Sequence, residues 1–459
     1  MSIDLLSLRN YPGQDPSIAS ASEPPASIVP DAIRQALPTK FRKAVIKPLG
    51  GSSVSSGQPL EFQTNFSNGS FLKAGSMYII GTLTPTGLSS GQTWGFKGSA
   101  GNSNRLWSRC TVSYGSQVIE DLNFYNQYAT DVVAPFLASA QNENVQAALF
   151  NGSTLGINNH LAFSVNTGAS RNYLSIPPGE QYAHNATPRV CIPIQSSFLN
   201  GGIGGEDIPL FALSSPISIR FLMDAINNIC TAPAGTISAL TLSDISLVYT
   251  EIVPDASYVA TLIQAMNTQG KMFPISINTY NSFKPALSAS YSVLQTVNAR
   301  SVNAVVVSFN PQDQNNGLAG KGYCKSPTGS SASDTGQLSV YLDNDLVNMY
   351  PDRMIFASDK LGETVSAIYG NLQDSDISLP FSAISSQNFD GTYMGQYYTV
   401  IVSTQCYHDS DTVKRGLPCS QLRVEGTYSN AQSGDVLTIF TLYEKIVFFG
   451  AMGSMQVVQ

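Results

Sequence analysis

Gly87-Leu88-Ser89-Ser90-Gly91 matches the Gly-x-Ser-x-Gly pattern of a nucleophile elbow. That device needs a strand before the serine and a helix after it, so that the hydroxyl is held strained and exposed. Here Pro85 precedes the pattern and Gln92-Thr93-Trp94-Gly95-Phe96 follows it, which is the chemistry of a loop. His408 stands beside Asp409 and Asp411, a trio able in principle to bind a metal or exchange a proton. Metal ligands on β-scaffolds converge from several strands, however, and one local cluster just ahead of Lys414 reads as a hydrated turn. Asp343 with Asp345 and Asp374 with Asp376 are Asp-x-Asp pairs without the glycine and terminal glutamate of a calcium loop, compatible at most with a cation shared between subunits. The glycine-rich run Gly201 to Asp207 contains neither Gly-x-Gly-x-x-Gly nor a Walker lysine, so its glycines are read as a sharp turn between packed strands. No catalytic, cofactor-binding or metal-ligating residue is therefore assigned, and no cofactor is expected.

The remaining reactive residues are dispersed in the same way. Six cysteines, Cys110, Cys191, Cys230, Cys324, Cys406 and Cys419, form no Cys-x-x-Cys, and with only three histidines, His160, His184 and His408, the sequence shows no cluster of zinc ligands. Free, mostly buried thiols in a reducing compartment are expected. Trp94, Trp107 and the many Tyr and Phe residues fall at strand spacing, which suits core or interface packing better than a sugar-binding platform.

The elements that would have to hold any site are β-strands. Hydrophobic residues make up 42% of the chain, enough for real cores, while Asp, Glu, Lys and Arg make up only 12%. About 25% is usual. A polar but weakly charged surface suits a protein in contact with copies of itself, because charge is depleted where surfaces are desolvated. The net charge of -7 excludes a chain whose whole surface coats nucleic acid. Neither a membrane-spanning apolar run nor a secretory signal is seen, so synthesis in the cytoplasm without membrane insertion is expected.

Residues 1–45 lack periodicity and carry the run Ser-Ala-Ser-Glu-Pro-Pro-Ala-Ser, so they are read as an extended or disordered N-terminal arm. Its end is basic: Arg34, Lys40, Arg42, Lys43 and Lys47 follow Asp31 with no acid between them, a patch suited to nucleic acid or to a neighbouring subunit. Short apolar or alternating runs at 60–66, 77–83, 105–114 and 117–122 then predict strands punctuated by Gly, Ser, Asn and Pro. Helical spacing replaces them between 124 and 150, and a polar segment follows at 151–187. Alternating residues at 242–253 lead into Asp255, an N-cap for a helix ending at Gly270. Strand patterns restart at 273–279, 291–296 and 300–309, a candidate helix runs through Leu361 to Tyr369, and late strands fall at 396–406, 421–428 and 436–449. The division expected is an arm (1–45), a first β unit (46–254), a linker helix (255–270) and a second β unit (271–459).

The stretch 191–222 gives this arrangement a name. Cys-Ile-Pro-Ile, a glycine-bearing loop, Ile208-Pro209-Leu210 and the alternating run Ile217, Ile219, Phe221 follow one another as in the double jelly-roll major capsid proteins of icosahedral double-stranded DNA viruses. The chain resembles that lineage of tectivirus-like phages, virophages, polinton-like viruses and adenovirus hexon over everything after the arm. The capped helix between the two units and Arg300-Ser301-Val302 ahead of an apolar run strengthen the likeness. The resemblance implies an all-β fold of two jelly rolls in tandem with short helical insertions. It also implies a non-enzymatic role in homotrimeric, pseudo-hexameric capsomers of a virion shell around a DNA genome, with penton and minor capsid proteins as further partners; the basic end of the arm is left to contact either the genome or a neighbouring subunit. The alternative is a carbohydrate-binding jelly-roll surface protein.

Overall fold

The computed structural model describes residues 39–64, 69–96, 103–133, 182–202, 205–232, 234–270, 272–310, 336–347, 354–356, 399–404, 416–429, 431, 433–450 and 454–458. Its longer strands are β1 (Lys40–Ile46), β2 (Pro59–Gln63), β3 (Tyr78–Thr86), β4 (Trp107–Tyr114), β5 (Gln117–Asn123), β6 (Arg189–Pro193), β7 (Ile217–Met223) and β8 (Ala239–Val253) in the first half. Helix α1 (Ala256–Gln269) follows, and then β9 (Phe273–Phe283), β10 (Ser290–Asn310), β11 (Gly336–Leu342), β12 (Leu417–Tyr428) and β13 (Val436–Phe449). The expected candidate helix at 361–369, residues 311–335, most of the segment 151–187 and residues 134–150 lie outside the described residues. The expected helical excursion starts at Tyr125 and runs to Val133 in the described part.

The first unit is a sandwich. One sheet runs β6–β3–β8 and on to the short strands Phe71–Leu72 and Ile208–Pro209, with β1 and Val54–Ser55 also on β8. The other runs β2–β7–β4–β5. All the pairings are antiparallel, and the period-two alternation of each strand decides which residues meet inside. In β7, Ile217, Ile219, Phe221 and Met223 are buried, while Arg220 and Leu222 are exposed. Between them lie Phe62, Ile79, Leu83, Trp107, Val112, Leu240, Leu242 and Leu247, all but inaccessible to solvent.

Lys40–Val45, the last part of the expected arm, proves to be sheet: β1 pairs residue for residue with β8, from Lys40 opposite Val253 to Ile46 opposite Leu247. Lysine density hid the strand, because only Ala44 and Ile46 on its inner side pack against the core. Asp255 caps α1 by accepting from the Ser257 amide at 2.8 Å, and Gly270 ends it in the left-handed conformation with φ 61°.

Among the described residues the second unit forms a large sheet ordered β9–β13–β10–β12–β11, with four short strands attached. Its organising strand is β10, whose 21 residues serve two partners. Residues 290–302 pair with β12, residues 302–310 pair with β13, and the strand Thr399–Ser403 lies on its other side at 304–308. Register shifts between Thr296 and Val302, with Asn298 at φ 52°, turn the strand around this corner. Beyond the corner β10 is buried on both faces. Val305, Val307 and Phe309 enter the core of the second unit with Leu338, Val340, Val424 and Ile439. Ala304 and Val306 enter the core of the first, together with Ile401, Phe440 and Leu442. A strand covered on both sides must be apolar at successive positions, which is why Ala304-Val305-Val306-Val307 does not alternate.

The glycine-rich loop closes the two units together. Its backbone passes so close to β9 that a Cβ on Gly202 would lie 2.1 Å from the Ser276 carbonyl oxygen, and Gly202 itself has φ 67°. The Asn278 amide donates to Ser197 Oγ at 3.0 Å beside it. Gly205 has a similar φ of 64° but open space around its missing side chain. Gly202→Ala should therefore destabilise the protein by about 2–4 kcal/mol, strain and overpacking together, whereas Gly205→Ala should cost only about 1 kcal/mol. Urea unfolding of both variants checks this, and equal losses would mean that the close approach carries no cost.

Candidate functional site

Among the described residues the positions with catalytic patterns do not assemble into a site. Gly87–Gly91 is the turn between β3 and the strand Thr93–Phe96, with Gly87 at φ 96° and Gly91 at φ 84°, so a strand rather than a helix follows Ser89. Asp343 occupies the hairpin between β11 and Asp345–Leu346 at φ 48° and accepts from the amides of Ser420 and Gln421 at 2.8–3.0 Å. Its carboxylate pins that turn to β12, which gives the Asp-x-Asp pair a structural task. His408, Asp409, Asp411, Asp374 and Asp376 lie outside the described residues. Among the described residues no group of three or more His, Cys, Asp or Glu stands where it could hold a metal ion. Of the described cysteines, Cys110, Cys191 and Cys419 are free thiols, and burial raises the pKa of Cys110 and pushes that of Cys419 up to about 11. Trp94 and Trp107 are fully buried, Trp94 against Tyr182 at 4.6 Å and Trp107 against Phe221 at 5.1 Å, so neither indole is a sugar platform.

Two other places concentrate polar chemistry, and sequence reasoning missed the first. Glu120 in β5 is fully buried. A register shift opposite Val112 and Ser113 makes Ile119 the extra residue, so Ile119 and Glu120 are both turned inward. Glu120 Oε2 accepts from the Ser196 hydroxyl and from the Phe198 amide at 3.3 Å, while Oε1 has no hydrogen-bond partner. Around it stand Cys110 on β4, Tyr125 and Tyr128 after β5, Tyr280 on β9, and Tyr443 and Lys445 on β13. Burial pushes the Glu120 carboxyl up to about 7, against the opposing pull of the Ser196 hydroxyl, the Phe198 amide, the Lys445 charge and the Ser197 backbone. Tyr128 and Tyr280 lie with ring centroids 4.4 Å apart and both contact Phe440, which places the acid where the first unit meets the second.

The second place is β1, the described end of the basic segment. Its inner side carries Arg42, which forms an ion pair with Glu251, a buried carboxylate that also accepts from the Tyr249 hydroxyl at 3.3 Å. The outer side carries Phe41 at 66% exposure, Lys43 and Val45 at 62%, continued by Lys47 and by Leu49 at 50%. Lys73 Nζ stands 5.6 Å over the Phe41 ring, and Lys47 Nζ donates to Ser246 Oγ at 2.9 Å. Among the described residues β1 pairs with β8 alone, so it is an edge strand whose lysines discourage pairing with another chain's strand. The arrangement can offer a cationic, partly apolar strip to an anionic or subunit surface. Arg34 lies outside the described residues. Because Glu251 is buried, Arg42→Ala should cost about 1–3 kcal/mol and free β1, exposing Lys40 and Lys43 to trypsin; unchanged stability and cleavage would show that the ion pair does not hold the strand.

No protein-family model matches the sequence, and no curated protein matches it. Solved structures do. The PBCV-1 virus capsid, as a quasi-atomic model, superposes with a TM-score of 0.55 at 11% identity, covering 92% of this chain and 97% of that one. The Sputnik virophage cryo-EM structure gives 0.54 at 10% identity over 91% and 88%. The Faustovirus major capsid protein gives 0.51 at 8% identity over 96% and 95%. Identities this low speak to architecture alone, and with both units matched over nearly the full length, the chain is a double jelly roll of the kind found in viral capsid proteins.

Proposed function

We propose that this chain is the major capsid protein of an icosahedral virus with a DNA genome, a structural and non-catalytic component of the virion. The observation that carries the reading is the tandem of two jelly rolls, matched end to end with capsid proteins at 88–97% of their own length. Two similar barrels per chain give six per trimer, so one product can occupy a hexagonal lattice. The low content of charged residues, 12%, suits subunits whose sides are desolvated against one another.

In this reading the chain divides into an arm, a first jelly roll to 254, a linker helix at 255–270 and a second jelly roll at 271–459, with Lys40–Ile46 as the sheet-bound root of the arm. Homotrimers tile the shell with pentons and minor capsid proteins. The basic root at Lys40, Lys43 and Lys47 faces a polyanion, the packaged genome, and synthesis takes place in the host cytoplasm. The buried indoles of Trp94 and Trp107 count against the carbohydrate-binding alternative.

Light scattering behind a sizing column should give the mass of three chains, and negative-stain images of the same peak should show a hexagonal outline. A monomer at micromolar concentration would sink the reading. Removal of residues 1–38, which spares β1, should leave trimers intact and impair shell closure. Shells that close as before would remove the arm from assembly.

A further inference from the structure

We infer that Glu120 is a proton-controlled latch between the two jelly rolls: neutral, it closes the seam, and ionised, it leaves a buried anion that loosens the loop 194–202 against β9. The geometry supplies the reason. Glu120 is wholly inaccessible; one oxygen is held by the Ser196 hydroxyl and the Phe198 amide, the Ser197 backbone also favours the ionised form, and among the described residues Oε1 meets no hydrogen-bond partner. A buried carboxylate with an unmatched oxygen is costly, and a neutral carboxyl is far less so. The two donors that hold Glu120 lie in the loop that also bonds the second unit, where the Asn278 amide donates to Ser197 Oγ. A change of charge at Glu120 therefore acts on the contact between the units.

The surroundings decide the direction. Cys110, Tyr125, Tyr128, Tyr280 and Tyr443 face the acid from β4, the helical segment, β9 and β13, and burial raises the pKa of each, so none supplies a charge at neutral pH. Asp121, the neighbour of Glu120 in β5, pairs outward with Arg109 at 2.6 Å. Lys445 is the cation that acts on Glu120, and its own ammonium form is disfavoured by burial. The folded chain holds the Glu120 proton up to about pH 7, against an ordinary value of 4.5. In that interval the folded state binds more protons than the unfolded state, so stability falls as pH rises. The contribution is complete below the ordinary value and gone above about pH 7.

The test is urea unfolding of the full chain between about pH 5 and about pH 8, wild type against Glu120→Gln. Wild type should lose stability across the interval relative to the variant, on the order of a hundredfold in the unfolding constant. Asp207, whose carboxyl burial also raises, contributes equally to both proteins and cancels in the comparison. Parallel pH profiles would overturn the inference. Lys445→Met is the second variant, useful if Glu120→Gln fails to fold: losing the cation should move the wild-type fall to higher pH, and an unmoved fall would overturn it as well. Amide exchange, corrected for intrinsic pH dependence, should show the Phe198 and Asn278 amides opening faster at high pH in wild type only. None of these readouts depends on trimer or shell formation, so the latch and the capsid reading stand or fall separately.

Discussion

Burial of one sheet on both of its faces is the constraint on which the rest of this structure depends. Past its corner, β10 sends Val305 and Val307 into the second unit and Ala304 and Val306 towards the first, and β13 does the same with Ile439 and Phe440. The two barrels thus share a wall instead of touching across two solvated surfaces. Such a wall tolerates neither a charge nor a register slip, since a one-residue shift would exchange the residues meant for one core with those meant for the other. The register shifts between Thr296 and Val302 are what allow a single strand to serve both partners.

How much of this was legible in the sequence differed with the kind of interaction. Alternation in β7 and β8 and the Asp255–Gly270 caps reflect local periodicity and local hydrogen bonding, and the helix and strands form where those signals place them. The unbroken apolar run in β10 marked a buried strand, but a single sequence does not say that one of its faces belongs to another barrel. β1 is hard to see in the sequence because four cations among Lys40–Lys47 outweigh two inward apolar residues; its place rests on Glu251, far along the chain. Glu120 was invisible for a related reason. It turns inward only because the bulge at Ile119 resets the alternation, and nothing in Val118-Ile119-Glu120-Asp121 tells the buried acid from the exposed one.

The residue types that suggest chemistry serve architecture where the structure describes them. Asp343 spends both carboxylate oxygens on backbone amides, Ser89 sits in a turn between strands, and Gly202 admits the neighbouring β9 backbone rather than a phosphate. Polar groups placed this way fix turns and seams that apolar packing alone leaves degenerate.

The pairing of β1 with β8 bears on how the chain is made. Arg42 and Glu251 are 209 positions apart, so the ribosome finishes the first of these strands long before the second exists. Until β8 emerges, the strip Phe41, Lys43, Val45 waits without a sheet, and closing so long a loop makes this pairing a late step. The first barrel can therefore complete itself only when its last strand arrives, and α1 follows at once from Ala256. Vectorial synthesis thereby couples the docking of the arm's root to the moment at which the second barrel begins to be translated.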